Sequence, residues 1–333
     1  MSEDTRPPSF EILPWQRAAW ERVQQARRND RLPHAQLITG LPGLGKLHFA
    51  YHLAHALLCT VPAADGSPCG RCRGCHLFQV GNHPDLRRIG PDPESKSGEI
   101  KVDAIRDLAD LAGLSAQAGG YKVVIVAPAE RMNRNAANSL LKTLEEPTPS
   151  TLLFLVSAEP GRLLPTLRSR CQRLPLTIPA EDEALAWLAT RAAGADPLLA
   201  LRLAHGAPLT ALQFFDPERM QRRREALEAF FGLAAGRGDP LAIAEHWLSL
   251  DLPLMFEWLS GWLADMLRLQ VGAHPIWLNN PDIADALAHH AMGRDPVGLH
   301  RLWSQAVEAR RQLQTNLNPQ LLLETLLIQW SGV

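Results

Sequence analysis

The sequence predicts an α/β domain built on a parallel sheet around a phosphate-binding loop, followed by a small helical segment and an all-helical C-terminal domain. Three observations carry this. The glycine-rich turn Gly40-Leu41-Pro42-Gly43-Leu44-Gly45-Lys46 lies between the apolar run Gln36-Leu37-Ile38-Thr39 and a stretch of helical periodicity starting at Leu47. Two continuous apolar runs, residues 121–127 and 151–157, flank a helix-length segment, as expected of parallel strands buried on both faces. Beyond Pro179 strand-like runs stop and helical ones take over, which sets the expected domains at residues 1–178, 179–208 and 209–333.

The first helix begins at Pro14, and Trp15, Ala19, Trp20 and Val23 share its apolar face. His34 precedes the first strand, where a structural role is favoured over contact with a nucleotide. In the loop that follows, successive backbone N–H groups and a helix N-terminus can surround phosphates while a lysine reaches the outer ones. Gly40, Gly43, Gly45 and Lys46 are the nucleotide-binding candidates on this pattern. The next position needs a Ser or Thr hydroxyl for magnesium, and Leu47 stands there instead.

After the loop's helix, Cys59, Cys69, Cys72 and Cys75 fall in a Gly/Pro/Arg-rich segment that runs to about residue 81. Two Cys-x2-Cys steps in four cysteines fit a closed tetrahedral zinc site, structural rather than catalytic because no position is left for water. His76 and His83 are spare ligand candidates.

Residues 91–98 form a polar loop, and residues 100–112 a short strand or turn leading into a helix with Ile105, Leu108, Ala109, Leu111 and Ala112 inward, stopped at Gly119-Gly120. The strand 121–127 ends where a nucleotide hydrolase needs carboxylates, and Ala127 and Pro128 occupy those places. Glu130 follows, in a turn expected to point it away from the phosphates. The helix Asn135 to Glu146 stops at Pro147 and carries the adjacent pair Glu145-Glu146, about 100° apart on the helix and so better suited to a solvated end or a subunit contact than to acid/base work. After the strand 151–157 come Leu167-Arg168-Ser169-Arg170-Cys171 and a short last strand near Arg173.

In the helical half, Trp258 and Trp262 are an i, i+4 pair beside Leu254, Leu259 and Leu263, so packing is favoured over base stacking. The runs Arg222-Arg223-Arg224 and Arg310-Arg311 read as solvated faces.

The net charge of the 333 residues is −1, which excludes a uniformly basic surface for sequence-independent DNA binding, so nucleic-acid contact must be local or shared with partners. The N-terminal residues show no apolar signal region, and no run approaches the roughly 18 apolar residues of a membrane helix, so a cytoplasmic location is expected.

Taken together, Pro33-His34-Ala35, the degenerate loop, the four-cysteine insertion, residues 138–147 and Ser169-Arg170-Cys171 resemble the clamp-loader ATPases of bacterial replication, within the AAA+ class. Loss of both the loop hydroxyl and the strand-end acids is similar to the branch of that family that does not hydrolyse ATP. The resemblance is close over residues 10 to about 210. It implies an AAA+ domain with a helical lid, and a helical collar that joins a pentameric ring with the gamma/tau and delta subunits. It further implies work on the sliding clamp and primed-template DNA. It also implies a role for Arg170, reaching across a subunit interface to the γ-phosphate of the neighbour's ATP. Two other classes stay open: an autonomous ATPase using Lys46 and Glu130, and a zinc-dependent nucleic-acid-binding protein using Arg71, Arg73, Arg87 and Arg88.

Overall fold

The computed structural model describes all residues except 1–10, 93–94, 96–97, 107–119, 149, 193, 314–316 and 333. The expected inner residues Leu108, Ala109, Leu111 and Ala112, the stop at Gly119 and the N-terminal residues 1–10 lie outside this set. The chain divides into two compact units, Met1–Glu183 and Ala184–Val333.

The first unit is a five-stranded parallel sheet in the order β2-β3-β4-β1-β5. Its strands are β1 (Ala35–Thr39), β2 (Leu86–Ile89), β3 (Lys122–Val126), β4 (Thr151–Ser157) and β5 (Gln172–Pro175). The central β4 is buried along its whole length, which is why its sequence is apolar throughout rather than alternating. The edge strand β2 departs from expectation. Its Leu-Arg-Arg-Ile sequence has two exposed arginines and gives no strand pattern on its own. Charged residues are nevertheless what protects a sheet edge from unwanted pairing.

Around the sheet lie α1 (Arg17–Arg28), α2 (Lys46–Leu58), α3 (Arg73–Gln79), α4 (Arg134–Glu145) and α5 (Pro165–Arg170). Trp15, Ala19, Trp20 and Val23 are buried together as their spacing requires. Asn133 caps α4, its side-chain oxygen accepting from the Ala136 amide at 2.9 Å. Residues 102–106 are helical, after Ile100 bridges to Met132.

The second unit contains helices and no strand among its described residues. Helices α6 (Glu181–Ala189), α7 (Pro197–Leu203) and α8 (Pro208–Ala211) share an apolar cluster that runs from Ala184 to Phe214. The remaining helices are α9 (Pro217–Ala234), α10 (Pro240–Leu248), α11 (Leu252–Gln270), α12 (Ala284–Ala291), α13 (Pro296–Gln312) and α14 (Pro319–Ser331). Their core is aromatic. Trp258 and Trp262 stack at 6.5 Å, and Trp330 stacks on Phe230 at 4.2 Å while its indole N–H donates to the Phe230 carbonyl. Trp277 is the exception, at 73% exposure.

Within the basic run Arg222-Arg223-Arg224 the outer two arginines are exposed, but the middle one is not. Arg223 is 1% exposed, and its guanidinium donates to Asp282 at 2.6 and 3.1 Å and to Asn280 at 2.8 Å. Asn280 in turn donates to the buried Asp265, which also takes Arg268 at 2.7 Å. A buried guanidinium needs such partners, and three adjacent arginines in a sequence cannot show which one has them.

Among the described residues no single helix is long and apolar enough to cross a membrane; α7 and residues 208–215 pass such a test only jointly, across a 114° bend.

Candidate functional site

The phosphate-binding loop closes as its glycines allow. Gly43 and Gly45 have φ of 78° and 74°. At Gly40 a Cβ would come within 2.5 Å of the Leu176 carbonyl, so only glycine lets β1 pass into the loop beside the end of β5. Gly45 then leads into α2, whose first residue is Lys46.

Within the loop the polar groups are turned inward. Lys46 Nζ donates to the Leu41 carbonyl at 2.7 Å. Trp15 Nε1 donates to the Leu44 carbonyl at 3.0 Å, and Gln16 Nε2 to the carbonyls of Leu44 and Gly45 at 2.9 and 3.0 Å. Burial lowers the Lys46 pKa, and the Glu130 carboxylate opposes that shift.

Glu130 is thus a correction to the sequence reading. The short turn Ala129–Arg131 folds back, so that Glu130 faces the strand ends and its Oε1 accepts from the Ala158 amide at 3.0 Å, just past β4. Its position does not supply what the site lacks. Leu47 offers no oxygen to magnesium, and Ala127 and Pro128 offer no carboxylate. Glu130 Oε1 is taken by the Ala158 amide, while Oε2 is buried without a hydrogen-bond partner.

The four cysteines come together. Their sulfurs lie within 4.8 Å of one another, with Cys59 to Cys72 at 3.8 Å and Cys69 to Cys75 at 3.9 Å. A tetrahedron with Zn–S arms of ~2.3 Å has edges of about 3.8 Å, so this donor set fits a divalent soft cation. The Cys69 amide donates to Cys59 Sγ at 3.3 Å, and the Cys75 amide to Cys72 Sγ at 3.4 Å, as thiolates require. Gly74 allows the cluster to seat on α2, since a Cβ there would meet the Leu58 carbonyl at 2.4 Å. His76 is exposed, and His83 is buried with its Nδ1 accepting from the Asp85 amide; neither belongs to the cluster.

Arg170 ends α5 and is 38% exposed at its side chain. Its Nη2 meets Glu145 Oε1 at 2.7 Å, and its Nη1 donates to the Thr166 carbonyl at 3.1 Å. Glu145, expected at a solvated end or a subunit contact, is half-exposed and pairs within the chain. The pair forms because α4 and α5 share an apolar cluster that includes Leu140, Leu144 and Leu167, a contact between separate segments that spacing cannot reveal. His34 has the structural role expected of it, Nε2 standing 3.1 Å from the Leu144 carbonyl at the end of α4.

Arg87 and Arg88 are neighbours on β2 and so point to opposite sheet faces, which argues against one basic surface beside the cysteines.

A parallel sheet with a glycine loop at its strand ends, a lid-like helical cluster and a helical C-terminal region define an AAA+ module, here with Leu47 after the loop lysine where a hydroxyl for magnesium is expected. Residues 15–179 match the family model described as DNA polymerase III, delta subunit, and residues 217–332 match that of its C terminal part. The chain is 38% identical to DNA polymerase III subunit delta' of Pseudomonas aeruginosa, covering 97% of this chain and 98% of that one. It is 37% identical to the Escherichia coli subunit delta', covering 95% and 94%. Similarity extends to the tau/gamma subunit of Haemophilus influenzae, at 32% identity over 57% of this chain and 29% of that one. The chain belongs to the delta' subunits of DNA polymerase III.

Proposed function

We propose that this chain is a non-hydrolysing member of the clamp loader, which completes the ATPase site of a neighbouring subunit through Arg170. The reading rests chiefly on one contrast. The chain's own loop has no hydroxyl at position 47 and no acid at 127 or 128, whereas Arg170 stands at the exposed end of a short helix. A guanidinium at a transferred phosphate stabilises the charge that builds up in the transition state, and it can act from a second subunit.

In this reading the partners are the gamma/tau and delta subunits in a pentameric ring, with the sliding clamp and primed-template DNA as the objects of the work. Residues 1–178 form the AAA+ domain, 179–208 the lid and 209–333 the collar that joins the ring. The location is cytoplasmic. Cys59, Cys69, Cys72 and Cys75 hold one structural zinc ion, which ties the insertion of residues 59–81 to α2 and takes no part in hydrolysis. Gly40, Gly43, Gly45 and Lys46 serve as a retained scaffold.

The test is ATP hydrolysis by the purified chain and by the loader reconstituted with its ATP-binding partner. The chain alone is expected to be inactive. Arg170→Ala is expected to slow DNA-stimulated hydrolysis at least tenfold at the affected site while the complex still assembles. Magnesium-dependent turnover by the chain alone, abolished by Lys46→Ala, would overturn the reading in favour of an autonomous ATPase.

A further inference from the structure

Three stretches that look unrelated in the sequence meet at one corner of the first unit. Pro33-His34 precedes β1, residues 138–147 cover the later part of α4 and the two residues after it, and Ser169-Arg170 closes α5. His34 Nε2 lies 3.1 Å from the Leu144 carbonyl, one residue before Glu145. Glu145 Oε1 then lies 2.7 Å from Arg170 Nη2.

The local energetics of Glu145 call for an explanation. It is the last residue of α4, where a helix carries its negative end, and an acid there costs about 0.3–1 kcal/mol. Lys142, three residues earlier on α4, is one neighbouring cation. Arg170 at the equivalent end of α5 is in the favourable place for a cation, and its guanidinium meets the Glu145 carboxylate directly at 2.7 Å.

The geometry also bears on how Arg170 can work. A guanidinium has five N–H donors in a rigid plane. Glu145 takes one from Nη2, and the Thr166 carbonyl takes one from Nη1 at 3.1 Å. Thr166 is held in turn, because its carbonyl also accepts from Ser169 Oγ at 3.0 Å. A backbone carbonyl and a carboxylate together set the plane of the guanidinium, and the remaining donors are left for an anion. An arginine without them would sample many rotamers, and ordering it would be charged to the reaction.

We propose that Glu145 is a positioning residue for Arg170, holding the guanidinium in the orientation from which it meets a phosphate on a neighbouring subunit. The proposal rests on the reading of Arg170 given above. Glu145 touches neither nucleotide nor reacting atoms and acts only through Arg170. With the side chains 38% and 51% exposed, the pair is of the solvated kind, and the effect on rate is moderate.

The experiment is DNA-stimulated ATP hydrolysis by the reconstituted loader carrying Glu145→Ala, Glu145→Gln, Arg170→Ala or the double substitution Glu145→Ala with Arg170→Ala. Glu145→Ala is expected to lower kcat about two- to fivefold with the KM for ATP unchanged, the range that an exposed ion pair supports. Glu145→Gln, of equal length, is expected to fall between it and the parent, and serves in its place if the alanine variant assembles poorly. The double variant is expected to match Arg170→Ala, since a residue that acts only through Arg170 has nothing left to position. A slow Arg170→Ala beside unaffected Glu145 variants overturns the positioning role and leaves the reading of Arg170 standing. A further fall in the double variant shows that Glu145 acts elsewhere and also overturns it. An unchanged Arg170→Ala removes the reading of Arg170 itself, and this proposal with it.

Discussion

Metal binding at the four cysteines should release protons and depend steeply on pH. At the 3.8 Å separating Cys59 and Cys72, two thiolates repel by roughly 4 kcal/mol at an effective dielectric of ~20. Four thiolates form six such pairs, so without a cation the cluster cannot be fully ionised and must keep protons. The surroundings decide where. Burial raises the Cys72 pKa, yet hydrogen bonds from Thr60 and from the Cys75 amide outweigh it and hold the thiol at about 5. At Cys59 and Cys75 burial is the largest influence and pushes both thiols above their ordinary value of 9.0. At pH 7 Cys72 is therefore ionised, while Cys59 and Cys75 carry protons. Zinc must displace at least these two, and affinity falls as pH falls, by about a hundredfold per unit near pH 7. Calorimetric titration of the metal-depleted chain in buffers of different ionisation enthalpy reads the protons released. Metal analysis of the chain as purified should give about one equivalent. A slope below tenfold per pH unit, or less than half an equivalent with all four thiols reduced, would refute the tetrahedral thiolate site.

Two further outcomes follow from the buried polar groups and from the loop. Arg223→Ala should destabilise the helical unit by about 3 kcal/mol, because it strands Asn280 and Asp282 beside the buried Asp265. Arg223→Met should cost less than the alanine variant by filling the space; urea unfolding that shows no loss for either would contradict the network. Leu47→Thr should leave the isolated chain without measurable ATP hydrolysis, since Ala127 and Pro128 still supply no carboxylate at the strand end. Turnover gained by that single change would show that the strand-end acids are dispensable.

Much of the first unit was legible because its signals are local. The runs 121–127 and 151–157 are apolar without alternation, and the structure buries both as inner strands. The loop was legible because glycine spacing answers a backbone need that only glycine meets. The strand β2 was not, since a sheet edge is defined by its one neighbour and its sequence is chosen to discourage another. Arg223 was hidden for a related reason. Arg222 and Arg224 beside it are exposed and pair with Asp216 and Gln221, and only the arrival of Asn280 and Asp282, nearly sixty residues later, separates the middle arginine from them.

Glu130 shows where such reasoning errs in detail while the chemistry stays the same. The sequence places it beyond the strand and suggests that it points outward, but a three-residue turn is enough to bring it back over the strand ends. There burial lowers the Lys46 pKa, and the negative charge of Glu130 partly opposes that shift. Lys46 meanwhile donates to the Leu41 carbonyl, and Trp15 and Gln16 donate to the two carbonyls that precede α2. A loop that depends on nucleotide for its order would leave these groups to water until the ligand came. Here the protein supplies partners for the lysine and for three carbonyls of the loop, so the loop can hold β1 and α2 together with no nucleotide present. The loop is thereby suited to the scaffold role proposed for it, with Arg170 proposed as the group through which the chain contributes to phosphate chemistry.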